Sequence, residues 1–584
     1  MRYRWHLTTS EPHLIRQLAG ALNITERLAQ CLANRGIKDP EAARCFLKPQ
    51  LRQLSDPFLL PQMDRAVERL MMARTRGESV VIFGDFDVDG ISSTALLVDV
   101  LTALGWQVKT YLPHRLEEGY GLSREAAENC LQRYPARLVL AVDCGSTAVE
   151  TIRWLASCGV DVIVLDHHQV SDPVPGAWAL VNPKLIPALD GFEGTEPPYS
   201  DLCSVGLAFK LAHALVKQGR VTGVQEAEGY DLRPLLDLVA LGTVADLVSL
   251  TGENRILVSA GLDRLSRTRR PGLQALKQVA QCVAEVGVRE VGFQLGPRLN
   301  AAGRLEAAEA ALNLLLTDAP EQALALAQSL DDRNRERQQI ERSIADEIIG
   351  ELRQRFDPAR DYVIVEGRPS WHLGVVGIVA SRVLRTFHRP TIILGGDGEE
   401  WRGSGRSVEG FNLAAALRGC HDLLVRHGGH AMAAGLTLRP EKIDSFRERL
   451  NELARASLRP DQLHPSLRLD GELLLPELTV EAVELFARLG PSGMGNPPVQ
   501  WMALGLKNHS PPQRIGRDQQ HARLKVTDGR SVLDAIIWNV EADSLPGGSF
   551  DLAFTPQVNE YNGRRSVQLK VLDWRPTTAS KGSS

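Results

Sequence analysis

Three short apolar runs in this chain stop at carboxylates. Ser79–Phe83 is followed by Gly84 and then by Asp85, Asp87 and Asp89. Arg137–Val142 runs into Asp143, and Asp161–Leu165 runs into Asp166, His167 and His168. Apolar runs without polar alternation suit strands buried on both faces. The intervening stretches have helical spacing, as over Ile91–Leu104 ahead of Gly105, a good helix-ending residue. Strands alternating with helices imply an open, mostly parallel α/β sheet, with Gln107–Leu112 and Trp178–Val181 as further strands. In such sheets ligands lie beyond the carboxyl ends of the strands. Acids far apart in the chain are therefore expected to meet at one edge.

Composition narrows what that edge can serve. Of 584 residues, 67 are Lys or Arg and 71 Asp or Glu, so the net charge of −4 excludes a general polyanion coat; contact with nucleic acid must use a local patch. No apolar run reaches the 18 or so residues of a membrane span, and the first ten residues lack the apolar core of a signal peptide. The eight cysteines are scattered, with no CxxC, and read as reduced thiols filling core space rather than a zinc cluster. A cytoplasmic protein is expected.

Breaks in pattern suggest five segments. Residues 1–75 read as an N-terminal helical lead-in, interrupted at Asp39-Pro40 and Asp56-Pro57. Residues 76–318 hold the first α/β rhythm followed by helices. Residues 319–358 form one long helix, since only Gly350 intervenes between Pro320 and Pro358. A second α/β rhythm covers 359–457. The stretch 458–577 is strand-like and rich in turns.

The chemistry concentrates at the strand ends. Asp85, Asp87 and Asp89, then Asp143, then Asp166 with His167 and His168, should converge; Asp246 joins them as an acid in an otherwise apolar helical stretch, where a bare carboxylate is costly. So many acids raise one another's pKa unless cations compensate. Carboxylates with imidazole suit Mn²⁺, and with fewer imidazoles Mg²⁺. Two ions about 3.5–4 Å apart, sharing a carboxylate, suit in-line attack at phosphorus. The Asp85–Gly90 loop is not an EF-hand, because Leu96 stands where the closing Glu belongs. Asp89 reads either as a ligand or as the N-cap of a helix starting near Ile91, the cap being favoured.

These residues carry a resemblance. Asp85-Phe-Asp87, Asp143, Asp166-His167-His168 and Asp246 are similar to the four motifs of the DHH phosphoesterase family. Gly296-Pro-Arg298-Leu-Asn300-Ala-Ala-Gly303-Arg304, Trp371-His372-Leu-Gly374-Val-Val-Gly377, Arg402-Gly-Ser404-Gly-Arg406-Ser407 and Gly428-Gly429-His430 resemble the DHHA1 domain and its approaches. From about residue 70 to 575 the chain resembles the bacterial single-strand DNA exonucleases of this family.

The resemblance implies a parallel-sheet DHH lobe and a smaller α/β DHHA1 lobe joined by a long helix, with a C-terminal OB-like β-barrel. It implies Asp85, Asp87, Asp143, His167 and Asp246 as ligands of two Mn²⁺ or Mg²⁺ ions, Asp143 as their bridge, His168 facing the scissile phosphate, and Asp166 orienting the histidines. Val81 stands where many small DHH phosphatases carry a further ligating His.

Substrate grip is assigned to Arg115, Tyr120, Arg298, Asn300, Arg304, Ser404, Arg406, Gly429 and His430. Guanidinium and hydroxyl donors on a glycine-rich backbone suit a terminal phosphate. Residues 501–584 hold eleven Lys and Arg against eight Asp and Glu, with several aromatics; this composition suits single-strand binding by stacking and phosphate contact. The Arg264–Arg270 run reads as a solvated face. The expected activity is 5′-to-3′ hydrolysis of single-stranded DNA to nucleoside 5′-monophosphates in repair and recombination, by a monomer working beside a RecQ-type helicase and a single-strand binding protein. A phosphodiesterase of short RNA or cyclic dinucleotides, or an inactive replication scaffold, are the alternatives. The length and C-terminal region argue against the former, the intact acid and histidine set against the latter.

Overall fold

The computed structural model of the protein describes residues 3–114, 118–119, 121–185, 197–282, 284–305, 308–396, 398–540 and 544–577. Two compact units emerge. The first comprises Arg44–Arg335 with Leu489–Pro498; the second comprises the residues up to Ala43, Glu336–Arg488 and those from Val499 onward.

The first unit is built on a five-stranded, all-parallel sheet. Its order is Gln107–Tyr111, Ser79–Phe83, Leu138–Val142, Asp161–Leu165, Ala179–Val181. The continuous apolar runs follow from burial of both faces. Val80, Ile82, Leu138, Leu140, Ile163 and Leu165 pack with Ile91, Leu97, Val205 and Leu211 on one side. Val81, Phe83, Val139, Ala141, Val162 and Val164 pack with Ala126, Cys130, Ile152 and Leu155 on the other. Leu112, Arg137 and Trp178 fall just outside the strands expected to include them.

The second unit holds two larger sheets beside a two-stranded one. One runs in the order Arg426–Gly429, Ala433–Leu438, Trp401–Arg406, Thr391–Gly395, Ile364–Arg368, with only its last pair parallel. In the other, Trp501–Ile515, His521–Thr527, Val532–Ile537, Arg564–Pro576 and Phe550–Tyr561 follow one another, and Phe550–Tyr561 pairs back onto Trp501–Ile515. That last pairing closes the strands into the ring of an OB-like barrel. The long helix is Pro320–Arg355, 36 residues and so about 54 Å at 1.5 Å per residue.

The N-terminal segment departs from a helical lead-in. Arg4–Leu7 is a strand paired in parallel with Ser466–Leu469, and Trp5 Nε1 donates to Asp573 Oδ2 at 2.9 Å. Its partners lie more than 450 residues away, so nothing local in the sequence announces it. Residues to Ala43 belong with the second unit and those from Arg44 with the first, so 1–75 is not one piece.

The first unit buries an ion pair. Lys210 Nζ lies 2.9 Å from Glu253 Oε2, both side chains are fully buried, and Nζ also donates to the Ser55 carbonyl at 2.8 Å. Glu253 Oε1 accepts from the Ser55 N–H at 2.7 Å and hydroxyl at 2.6 Å. Burial pulls the Lys210 ammonium down, against the Glu253 charge that holds it up. Removing one partner strands the other charge in the core, at about 3–5 kcal/mol. Lys210→Met is expected to destabilise the unit by that amount in urea unfolding, and Lys210→Met with Glu253→Leu by clearly less. Equal losses in the single and double variants would show that the pairing is not what holds this corner.

Candidate metal centre

The sheet order places the site. Ser79–Phe83 sits between the strand that follows it in sequence and Leu138–Val142, so the winding direction reverses between these two neighbours. The crevice at such a switch point is where open α/β sheets receive ligands. Asp85–Asp89 leave one flanking strand, Asp143 leaves the other, and Asp166–His168 leave the next.

Local folding fixes each carboxylate. Asp87, not Asp89, is the N-cap of the helix Val88–Ala103; its Oδ1 accepts from the N–H groups of Asp89 and Gly90 at 2.9 and 3.1 Å. Gly90 is required because a Cβ there would stand 2.6 Å from the Asp85 carbonyl oxygen. Asp89 lies two residues further along in the first turn, fully buried, and serves a different helix. Its Oδ2 accepts from Ser204 N at 2.7 Å and its Oδ1 from Val205 N at 2.8 Å, at the start of Ser204–Thr222. The cap expected of Asp89 on the helix near Ile91 is therefore made by Asp87, and Asp89 instead accepts from the start of a helix 115 residues later. Asp143 has a φ of 63°, a left-handed backbone unusual outside glycine. Asp246 ends the helix Leu236–Ala245.

The side chains converge. Ligand atoms of Asp85, Asp87 and Asp143 lie within 4.8 Å of one another, as do those of Asp143, His167 and His168. His167 Nε2 is 3.5 Å from Asp143 Oδ1, 3.4 Å from Asp246 Oδ2 and 4.0 Å from Asp89 Oδ2. Asp166 engages His168: Oδ1 is 2.7 Å from Nδ1, while Oδ2 accepts from Ser146 N at 3.0 Å.

Electrostatics follow from burial and crowding. Burial, then the charges of Asp87, Asp89, Asp85 and Asp246, push Asp143 well above the carboxylate range. Burial and neighbouring acids push Asp246 up to about 9, and burial with the Asp87 charge pushes Asp89 up to about 7. Burial alone would raise Asp166, but the hydrogen bond and charge of His168 and the bonds from Ser146 hold it below the usual range. Burial lowers His167 to about 3, leaving a neutral imidazole. Burial opposes protonation of His168 too, yet Asp166 outweighs it and raises the ring.

The donor set fits divalent cations. Asp143 Oδ2, His167 Nε2 and Asp246 Oδ2 are buried with no hydrogen-bond partner among the described residues. Buried polar atoms are otherwise nearly always paired, and these three are the oxygen and imidazole donors that Mn²⁺ and Mg²⁺ take.

Other expected residues fall elsewhere. Arg115, Tyr120 and the Arg304 side chain lie outside the described residues. Asn300 lies half-buried on the helix Gly296–Leu305. Gly303 on this helix lies against the Asp85–Asp87 loop, where a Cβ would stand 2.8 Å from the Phe86 carbonyl oxygen. Arg298 is engaged by protein: Nη2 is 2.8 Å from Asp331 Oδ1, and Nη1 donates to the Gln294 carbonyl at 2.6 Å. This ion pair ties two helices of the first unit.

In the second unit Ser404 and Arg406 lie on the strand Trp401–Arg406, and Arg406 Nη1 donates to Ser404 Oγ at 3.0 Å. The helix Val376–Phe387 starts against them: a Cβ on Gly377 would stand 2.9 Å from Ser404 Oγ and 3.1 Å from Arg406 Nη2. A helix N-terminus, a hydroxyl and a guanidinium thus face one spot, an arrangement that favours anions. Gly429 is exposed at the end of the edge strand with φ 133°, and the adjacent His430 is also exposed.

Two residues had no legible signal. Cys203, read as core filler, has its thiol within 4.8 Å of the ligand atoms of Asp89 and Asp246. Ser204 Oγ donates to Asp143 Oδ1 at 2.9 Å.

Known proteins carry the same parts in the same order. Residues 79–243 match the model of the DHH family N-terminal domain, 360–456 the DHHA1 domain and 469–573 the RecJ OB domain. The chain is 38% identical over 562 residues to the single-stranded-DNA-specific exonuclease RecJ of Dickeya dadantii, covering 93% of this chain and 95% of that protein. It is 36% identical over 564 residues to that of Escherichia coli K12, covering 93% and 95%. The crystal structure of Thermus thermophilus RecJ in complex with Mn²⁺ superposes with a TM-score of 0.84 at 31% identity, covering all of this chain and 81% of that one. With this identity across nearly the full length and all three domain models in register, the chain belongs to the RecJ family of DHH phosphoesterases.

Proposed function

We propose that this protein is a metal-dependent exonuclease that hydrolyses single-stranded DNA from the 5′ end to nucleoside 5′-monophosphates. The observation that carries the reading is the set of buried, unpartnered donor atoms on Asp143, His167 and Asp246 at the sheet's switch point, in a chain of the family described above. Asp85, Asp87, Asp143, His167 and Asp246 would hold two divalent ions, with Asp143 contributing to both. When bound, the ions supply Lewis acidity toward the phosphodiester and make water more acidic.

The rest belongs to the protein. Neutral His167 offers a lone pair at Nε2. Asp166 holds the Nδ1 proton of His168, which fixes the ring and favours its charged form beside a phosphate. Ser404, Arg406 and the first turn of Val376–Phe387 grip a terminal phosphate, which carries more charge than an internal diester and so gives polarity. Arg115, Tyr120, Arg298, Asn300, Arg304, Gly429 and His430 would each add contacts to the strand, and the barrel would bind single-stranded DNA as well. The C-terminal barrel favours long strands over dinucleotides. Among the described residues no helix is long and apolar enough to cross a membrane. Action in the cytoplasm as a monomer, beside a RecQ-type helicase and a single-strand binding protein, completes the proposal, since a strand-specific nuclease needs unwound ends.

EDTA is expected to abolish digestion of an end-labelled single strand and Mn²⁺ to restore it; full activity in metal-free buffer would reject the metal centre. Without metal, the raised acids also set stability. A carboxyl whose folded pKa is raised stabilises the fold below its unfolded value and loses that contribution as pH climbs through the folded one. With Asp89 at about 7 and Asp246 at about 9, the EDTA-treated protein should lose thermal stability steadily from about pH 4 to about pH 9. Mn²⁺ should flatten that slope, and scanning calorimetry across the range checks it.

Arg406→Ala is expected to lower kcat/KM on 5′-phosphorylated strands about 10- to 150-fold, the worth of a charged hydrogen bond. Strands with a 5′-hydroxyl should lose much less, and bound Mn²⁺ should match wild type. An unchanged ratio between the two strands would remove Arg406 from end recognition.

A further inference from the structure

Asp143 is held both at its backbone and at one carboxylate oxygen. Its backbone is left-handed at φ 63°, and its N–H donates to the Leu165 carbonyl at 3.0 Å. Its two oxygens are treated differently. Oδ1 accepts the Ser204 hydroxyl at 2.9 Å, whereas Oδ2 is buried with no hydrogen-bond partner among the described residues. A carboxylate on a single bond can turn its plane; a hydrogen bond to one oxygen fixes which way the other points.

Ser204 is itself held. It is fully buried at the first position of Ser204–Thr222, and its N–H and that of Val205 each donate to one oxygen of Asp89. Asp89 belongs to the helix that Asp87 caps. One buried carboxylate therefore locks the start of one helix to the start of another, and the residue so locked presents its hydroxyl to Asp143. By contrast the Ser92 and Ser93 hydroxyls, equally buried on Val88–Ala103, have no partner among the described residues.

We propose that Ser204 is a positioning residue: its hydroxyl sets the carboxylate plane of Asp143 so that Oδ2 faces the metal pocket, and Asp89 holds Ser204 in place for this rather than ligating metal. The inference rests on Asp143 being a metal ligand. Side chains that orient ligands typically account for about 10- to 100-fold in metal affinity.

The experiment uses the full chain and Mn²⁺ itself. Mn²⁺ binding is measured by calorimetric titration and by electron paramagnetic resonance for wild type, Ser204→Ala, Ser204→Gly, Ser93→Ala and Asp143→Ala, with circular dichroism as the fold control. Ser204→Ala and Ser204→Gly are expected to weaken Mn²⁺ binding about 10- to 100-fold. The Mn²⁺ concentration that half-saturates strand digestion should rise by the same factor, while kcat at saturating Mn²⁺ returns close to wild type. Ser93→Ala, which removes a buried hydroxyl without an acceptor, should leave both quantities within about twofold, so that loss of buried volume is not the cause. Whichever Ser204 variant folds decides the matter. Binding within about twofold of wild type, while Asp143→Ala has lost it, overturns the positioning role and leaves the metal centre standing. Undiminished Mn²⁺ binding in Asp143→Ala overturns the metal assignment, and this proposal with it.

Discussion

Mutual repulsion among Asp85, Asp87, Asp89, Asp143 and Asp246 is the force against which the first unit is organised. Gathering these charges at a buried sheet edge works only if backbone dipoles, hydroxyls and cations divide the charge among them. The division is visible residue by residue. The first turn of Val88–Ala103 takes the Asp87 charge, the first turn of Ser204–Thr222 takes Asp89, and a hydroxyl takes half of Asp143. What remains, Asp143 Oδ2 and Asp246 Oδ2 with the lone pair of His167, is left to a cation.

The second unit shows the opposite polarity on a smaller scale. Ser404, Arg406 and the start of Val376–Phe387 gather positive potential at one spot, a close approach made possible by the missing side chain at Gly377. Cation-binding and anion-binding chemistry thus use the same device, a helix N-terminus beside a strand, with the sign set by which side chains line it. Ring closure in the barrel pairs the long strand Trp501–Ile515 on both edges, so the unit does not present it as an open edge for unintended pairing.

Much of this was legible because each acid follows an apolar run directly, and strand ends in a parallel sheet share one edge whatever their distance in sequence. Asp85, Asp143 and His167 could be brought together on that ground alone. The cap at Asp89 could not be resolved, because a helix start identifies a nearby acceptor in sequence and Asp89 serves a helix that begins at Ser204. Ser204 itself looks like any small residue opening an apolar helix; only tertiary packing reveals its acceptor. Nor does the motif around Arg298 show that Asp331, on another helix, holds its guanidinium. The strand at Arg4–Leu7 went unread because pairing across the length of a chain leaves no local trace.

One stretch of ten residues changes what the first unit is. Leu489–Pro498 lies far along the chain, yet it packs within that unit: Arg255 donates to the carbonyls of Leu489 and Gly490 at 3.0 and 2.6 Å, and Leu250 N donates to Met494 O at 2.8 Å. During synthesis the metal-binding unit therefore emerges from the ribosome incomplete, with a buried guanidinium lacking two of its acceptors, and waits for more than 150 further residues before its last segment arrives. The second unit's α/β sheet, whose strands end at Leu438, is fully translated inside that interval. Nascent chains therefore complete that sheet before they complete the first unit, and a protein truncated ahead of Leu489 keeps every acid of the site while lacking two acceptors of the buried Arg255 guanidinium.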